Sequence, residues 1–219
     1  MLIEGEDLSL IYDIGKEQET YAVRNANLRI DTGELIGIVG PSGSGKSSLL
    51  YLLSGLKSPT LGSVYYKNND LEAFNDLDRS RLRKENFGFI FQRHFLIDYM
   101  TVFDNILLAS NEKELRSAKE QTTTLLQKLK MEKLAKKKPA QLSGGQRQKV
   151  AIARALINKP RVIFADEPTA SLDHETAHEI MDMLEEHREN TTVLVVTHDK
   201  SILSNATRII EMWDGYIKH

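Results

Sequence analysis

The residues best suited to chemistry stand in one octapeptide, Gly40-Pro41-Ser42-Gly43-Ser44-Gly45-Lys46-Ser47, which fits the pattern G-x-x-x-x-G-K-[ST]. Small residues let successive backbone N–H groups turn inward around a β-phosphate, and a helix beginning there adds its positive N-terminal end. Lys46 is then expected to bridge β- and γ-phosphate oxygens, Ser47 to offer its hydroxyl to Mg2+, and Ser48 to join the ATP-binding set. A glycine-rich turn without function would need neither the lysine nor the strand-loop-helix setting. Taken alone, the motif specifies only a P-loop nucleotidase.

A second stretch has the same chemical character. Leu142-Ser143-Gly144-Gly145-Gln146 precedes a helical run over residues 147–157, with Val150, Ala151, Ala153, Ala155 and Leu156 expected to pack inward and Ser143 at the N-cap. A serine, two glycines and a helix N-terminus make another anion cradle. One nucleotide needs only one cradle of this size, so the second implies a second chain; an ordinary serine-capped helix is the local alternative. Two carboxylates, Asp166-Glu167, end the apolar run Val162-Ile163-Phe164-Ala165, at the edge of a strand where α/β proteins bind ligands.

Positioning these groups requires a layered α/β chain. Leu35-Ile36-Gly37-Ile38-Val39 is continuously apolar, as a strand covered on both faces must be, and it feeds directly into the phosphate loop. Residues 48–53 read as a buried helix stopped by Gly55. Residues 3–11 and 21–30, closed by Asp31-Thr32-Gly33-Glu34, read as an antiparallel sheet. From 98 to 141 the chain turns rich in Leu, Lys, Glu and Thr, with Leu115, Ala118, Leu125, Leu126 and Leu129 near helical spacing, which predicts a helical insertion. Apolar strands at 162–164 and 193–196, separated by an amphipathic helix over about 175–187, predict a parallel sheet.

Together these features closely resemble the ABC ATPase family, and the resemblance runs from Tyr12 to Trp213-Asp214-Gly215. It implies an α/β fold of the P-loop NTPase (RecA-like) type: a mostly parallel core, an N-terminal antiparallel β subdomain and an inserted α-helical subdomain. Residues 1–92 and 158–219 would form the nucleotide-binding core and residues 93–157 the helical signature subdomain. The implied activity is ATP hydrolysis to ADP and phosphate. The implied roles follow motif by motif. Asp166 orients Mg2+ through water and Glu167 polarises the attacking water, against the plainer reading of two strand-end charges. Gln92, after Phe87-Gly88-Phe89-Ile90-Phe91, touches Mg2+; the alternative is a polar strand end. Ser143, Gly144, Gly145 and Gln146 reach the ATP of an opposing subunit, as does Asp173 in Ser171-Leu172-Asp173, although Asp173 also suits a helix N-cap. His198 contacts the γ-phosphate, and Tyr12 stacks on adenine unless it packs in the core.

Composition limits the partners. Across 219 residues, 29 Lys plus Arg oppose 31 Asp plus Glu, a net charge of −2, so charge suggests no nucleic acid. The chain has no cysteine, which excludes disulfides and thiolate metal sites. Its apolar runs are too short to cross a bilayer and its first residues carry no leader pattern, so a cytoplasmic protein is expected, with any membrane role reached through a partner. The resemblance supplies that partner as an integral membrane permease. It also supplies an ATP-dependent dimer, either a homodimer or a heterodimer with a related cassette. The apolar stretch 93–100, with Phe95, Leu96 and Ile97, is nominated for the permease groove, the alternative being helix packing within the subunit. Residues 91–106 and the compact end look like the lipoprotein-release, macrolide-efflux and glycolipid-export branch. A soluble ABC ATPase of DNA maintenance or translation is the rival, but it would carry coiled-coil arms or two cassettes. A GTPase would need Asn-Lys-x-Asp, whereas Asn158-Lys159 is followed by Pro160-Arg161. His174-Glu175-Thr176-Ala177-His178 matches the zinc protease pattern H-E-x-x-H, yet a helix there would bury Ala177, Ile180 and Leu184 and leave both imidazoles in solvent. The run Lys136-Lys137-Lys138 before Pro139 is expected to be a charged helix end.

Overall fold

The computed structural model describes residues 1–14, 19–170, 172–186 and 191–218. Two sheets carry the chain. The first is four-stranded and antiparallel, in the order β2-β1-β4-β5, with β1 at Ile3–Tyr12, β2 at Thr20–Ile30, β4 at Leu61–Tyr66 and β5 at Asn69–Asp70. The second is six-stranded, in the order β10-β9-β3-β8-β7-β6. Its strands are β3 (Leu35–Val39), β6 (Phe87–Ile90), β7 (Val162–Asp166), β8 (Thr192–Val196), β9 (Arg208–Trp213) and β10 (Tyr216–Lys218). All neighbours in it run parallel except β10 against β9.

The continuous apolar runs are explained by what lies on each face of this sheet. Alternate residues Ile36, Ile38, Val162, Phe164, Leu194 and Val196 pack toward helix α1 (Lys46–Leu53) and the antiparallel sheet. The intervening residues Leu35, Val39, Ile163, Ala165, Val193 and Val195 pack toward helices α5 (Gly144–Leu156) and α6 (His174–Glu185). With both faces covered, a two-residue period cannot separate apolar from polar. A third apolar cluster joins Val102, Ile106, Leu126, Met131, Leu142, Val150, Ala153 and Ile157, built from α3 (Val102–Leu107), α4 (Leu115–Lys128) and α5.

Several expectations need correction. Helix α2 (Asp76–Asn86) gave no periodic signal because it buries none of its residues; Asn75 caps it, and Arg79 and Arg83 tie it to Ser58 and the Gly55 carbonyl. Leu115 has helical spacing but stands 61% exposed at the start of α4. The lysine run is not a helix end: α4 stops at Lys128, and 136–138 links two short 3-10 turns, Glu132–Leu134 and Pro139–Gln141. Helix α5 begins at Gly144, three residues before the expected start. Helix α6 runs from His174 to Glu185; His187 and Ser171 lie outside the described residues. Residues 93–100 are not helical; Leu96 packs on the third apolar cluster and Asn105 of α3 bonds both backbone groups of Ile97, so part of the segment packs within the subunit, while Phe95 is left exposed.

Candidate nucleotide site

Sheet order decides which motifs meet. Ile38 of β3 and Asp166 of β7 both register on Val196 of β8, so the carboxyl ends of these strands align. Because β6 flanks β7, four segments leave the same edge in spatial order: the phosphate loop after β3, His198 after β8, Asp166-Glu167 at β7, and Gln92 after β6. Sequence separations of more than a hundred residues collapse into one row of side chains.

The loop geometry demands its glycines. Gly45, the N-cap of α1, has φ 97°, and a Cβ there would lie 1.9 Å from the Ala22 carbonyl oxygen. Gly40 has φ 151°, and its Cβ would stand 2.2 Å from the Met212 carbonyl oxygen. Strand β2 and the end of β9 thus press the loop from behind. No side chain caps α1 and no acidic residue occupies its first turn, so the N–H groups of that turn remain donors without an intrahelical acceptor. The Ser44 hydroxyl is buried with no hydrogen-bond partner. Lys46 is only 7% exposed, and its ammonium is folded onto the loop, donating to the Gly40 and Pro41 carbonyls at 2.9 Å each. Both are exchangeable partners that a polyphosphate could replace. Pro41, Ser42 and Gly43 form the exposed rim.

Asp166 is fixed at both oxygens. Ser47 Oγ donates to Oδ1 at 2.7 Å and the Tyr51 hydroxyl donates to Oδ2 at 2.6 Å. Burial first, and then the bond to Asp166, push the Tyr51 phenol far above its ordinary value, so it stays a donor. A serine hydroxyl beside a carboxylate is a hard oxygen set of the kind Mg2+ takes beside substrate phosphates, and the residues present fit that ion. Tyr51 went unnoticed in the sequence, yet it lies one turn beyond Ser47 on α1, so helical spacing from the phosphate loop could have found it.

Glu167 is held in the left-handed region at φ 50°, an uncommon conformation for a residue with a side chain, and its N–H donates to the Val196 carbonyl. That turn aims its carboxylate back at β8, where Glu167 Oε2 lies 3.0 Å from His198 Nδ1. His198 is otherwise exposed, as is Gln92. Tyr12 is 36% exposed at the end of β1, so it is not a core residue. The Lys57 ammonium bonds its hydroxyl and sits 4.5 Å from its ring centroid. Partial burial raises the Tyr12 phenol, but hydrogen bonds with Lys57 and Ser48 bring it below its usual value. Ser48 therefore touches the aromatic residue beside the loop.

The second cradle is formed separately. Ser143 caps α5 in a reciprocal box: Gln146 N–H donates to Ser143 Oγ at 3.2 Å, and Ser143 N–H donates to Gln146 Oε1 at 3.1 Å. The Ser143 hydroxyl accepts in this box and keeps its own proton to donate, and the Gly144 and Gly145 N–H groups open the helix. A Cβ on Gly145 would meet Thr176 of α6 at 2.6 Å. Asp173 caps α6, accepting from Thr176 N–H at 2.9 Å and from its hydroxyl at 2.8 Å, and these bonds hold its carboxyl below the usual range. Ser143, Gly144, Gly145, Gln146, Leu172 and Asp173 line one recess of about 250 Å3 that no phosphate-loop residue borders. Two larger clefts, of about 680 and 690 Å3, are lined by none of the motif residues. A contact unseen in the sequence ties the two halves of the chain: Arg154 of α5 donates to the Phe95 and His94 carbonyls at 2.6 and 2.8 Å, holding the segment that follows Gln92.

Known proteins share this arrangement. The model of the ABC transporter family matches residues 23–170. The lipoprotein-releasing system ATP-binding protein LolD 1 of Chlorobium chlorochromatii is 40% identical over 202 residues, covering 90% of this chain and 82% of its own. The macrolide export ATP-binding/permease protein MacB of Hahella chejuensis is 41% identical over 219 residues, which make up 99% of this chain but only 33% of MacB. Among solved structures, the dimeric post-hydrolysis state of the cassette MJ0796 with ADP and Pi superposes with a TM-score of 0.91 at 37% identity, covering 100% of this chain and 97% of that one. MJ0796 comes from Methanocaldococcus jannaschii. A phosphate loop, a paired-carboxylate strand end and a separate serine-glycine cradle in this order have one explanation: the chain belongs to the ABC transporter family, as an ATP-binding and ATP-hydrolysing subunit.

Proposed function

We propose that this chain hydrolyses Mg-ATP between two copies of itself, or between itself and a related cassette, and that closure of the pair drives a separate membrane permease that exports or extrudes a lipid, lipoprotein or peptide cargo. One observation carries the reading: the Ser143 recess is a finished anion cradle that shares no lining residue with the phosphate loop of its own chain. Each cradle therefore needs a triphosphate supplied from elsewhere. The relatives named for lipoprotein release and macrolide export favour the transport branch.

In this mechanism the phosphate-loop N–H groups and Lys46 hold the β- and γ-phosphates, and Tyr12 stacks on the base once Lys57 yields its ring face. Ser47 and Asp166, with Gln92, would hold Mg2+, which when bound neutralises charge developing on the transferred phosphoryl group. Tyr51 orients Asp166. Glu167 accepts a proton from the attacking water, and His198, now paired with Glu167, turns to the γ-phosphate as ATP arrives. Ser143 and the Gly144 and Gly145 N–H groups close from the opposite subunit, with Gln146 and Asp173 beside them. The 93–157 segment, as a helical signature subdomain, transmits this closure: Arg154 links the cradle helix to the segment bearing Phe95, which is 59% exposed, and Tyr99, which is 77% exposed. These two side chains are the contact offered to the permease, which would place the subunit on the cytoplasmic face of the membrane. Among the described residues no helix is long and apolar enough to cross it.

The test is Glu167→Gln in the full chain. Turnover should fall below detection while ATP affinity persists, and size-exclusion chromatography should show a dimer that forms with Mg-ATP and not with ADP. A variant that stays monomeric at saturating Mg-ATP, or that hydrolyses normally, overturns the proposal.

A further inference from the structure

The pentapeptide His174-Glu175-Thr176-Ala177-His178 has no part in the nucleotide chemistry, yet helix α6 brings its two imidazoles into contact. His174 Nε2 and His178 Nε2 are 3.3 Å apart, with ring centroids 4.4 Å apart and planes inclined by 56°. Four residues is one helical turn, so both rings rise from one face. His174 is exposed and His178 half-buried.

Two ring nitrogens at this separation suit a metal with a defined bite. Zinc–imidazole bonds of about 2.0–2.1 Å at a tetrahedral angle require an N···N separation of about 3.3–3.4 Å. A square-planar ion with similar bonds needs about 2.9 Å, and the rings would have to move closer. We propose that His174 and His178 form a two-imidazole site for a late first-row divalent cation, zinc ahead of copper or nickel, with water in the remaining positions. Among the described residues no third His, Cys, Asp or Glu completes a cluster with them. The arrangement is thus a binding site that lacks the third protein ligand of a protease centre.

The location gives the site a consequence. Thr176 and Glu179 of α6 face the cradle helix, through Gly145 and through the Lys149–Glu179 ion pair at 2.5 Å. The His178 side borders a recess lined by Leu35, Met181, Asp182, Glu185 and Ile202. Metal bound across His174 and His178 staples the first turn of the helix that Asp173 caps, between the cradle and the segment after His198.

The probe is zinc alone, titrated calorimetrically into the nucleotide-free full chain, with thermal melts alongside. One zinc per chain should bind with a dissociation constant in the micromolar range and raise Tm. His174→Ala and His178→Ala should each weaken binding by about tenfold or more and abolish the Tm rise, whereas His198→Ala should change affinity by less than about twofold. Alanine is a favourable helix residue, and unchanged melting without zinc verifies folding. Absence of stoichiometric binding overturns the proposal, leaving the contact an imidazole–imidazole hydrogen bond. Binding that survives both alanine variants, or that is lost in His198→Ala instead, overturns it equally by placing the metal elsewhere.

Discussion

Replacing Tyr51 by phenylalanine removes a single oxygen from helix α1 and tests whether the grip on Asp166 matters. Asp166 receives two hydrogen bonds, from Ser47 and Tyr51, so the variant leaves the carboxylate one anchor. A hydrogen bond to a charged group contributes about 1.5–3 kcal/mol, and partial exposure of Tyr51 lets water replace some of it, leaving a loss of about 1–2 kcal/mol. For a chain of this size that lowers Tm by about 2–8 °C. The metal site should suffer too. A carboxylate free to rotate binds less well, and loss of an orienting partner costs about tenfold in affinity. Manganese binding followed by electron paramagnetic resonance with a non-hydrolysable nucleotide reads this directly, apart from turnover. The sign of any pH effect is fixed by the upward shift of the Tyr51 phenol, caused by burial and then by Asp166. A group raised in the folded state contributes stability fully below its unfolded value, about 10 for a phenol, and loses it only as pH rises through the folded value. The gap between wild type and Tyr51→Phe should therefore be flat from about pH 6 to 9. In an Asp166→Ala background the same substitution should cost less than about 0.5 kcal/mol, because its partner is gone. Wild-type melting and manganese affinity in Tyr51→Phe, or an equal loss without Asp166, would refute the reasoning.

Two further outcomes follow from the phosphate loop. Gly45→Ala forces a Cβ to 1.9 Å from the Ala22 carbonyl at φ 97°, whereas Gly43→Ala at φ 78° meets nothing within 4 Å. Titration with a fluorescent ATP analogue should show binding lost in the first, while the second keeps its affinity and loses only about 1–2 kcal/mol of stability to backbone strain. Lys46→Ala should lower ATP affinity by about a hundredfold or more in the same titration, as expected on removing a buried charge that meets two phosphates. Micromolar ATP binding by Lys46→Ala would contradict its place at the β- and γ-phosphates.

How much of this was legible in the sequence depends on whether a residue's role is local. Leu35 to Val39 reads correctly as a doubly covered strand because burial on both faces leaves a continuous apolar run, and Ser143 reads as a cap because capping needs only the next three residues. Helix α2 had no such imprint: none of its residues is fully buried, Leu82 alone packs on the core cluster, and Arg79 and Arg83 tie it to Ser58 and Gly55. The grip of Tyr51 on Asp166 joins residues 115 positions apart, and the left-handed turn that points Glu167 at His198 arises only where β7 ends against β8. Both depend on parallel register, which composition does not encode. Motif spacing could therefore single out Asp166, Glu167 and Lys46, while the partners that hold them came only with strand order. By the same logic, the His174–His178 pair was visible as spacing, but the 3.3 Å approach of its ring nitrogens came only with the structure.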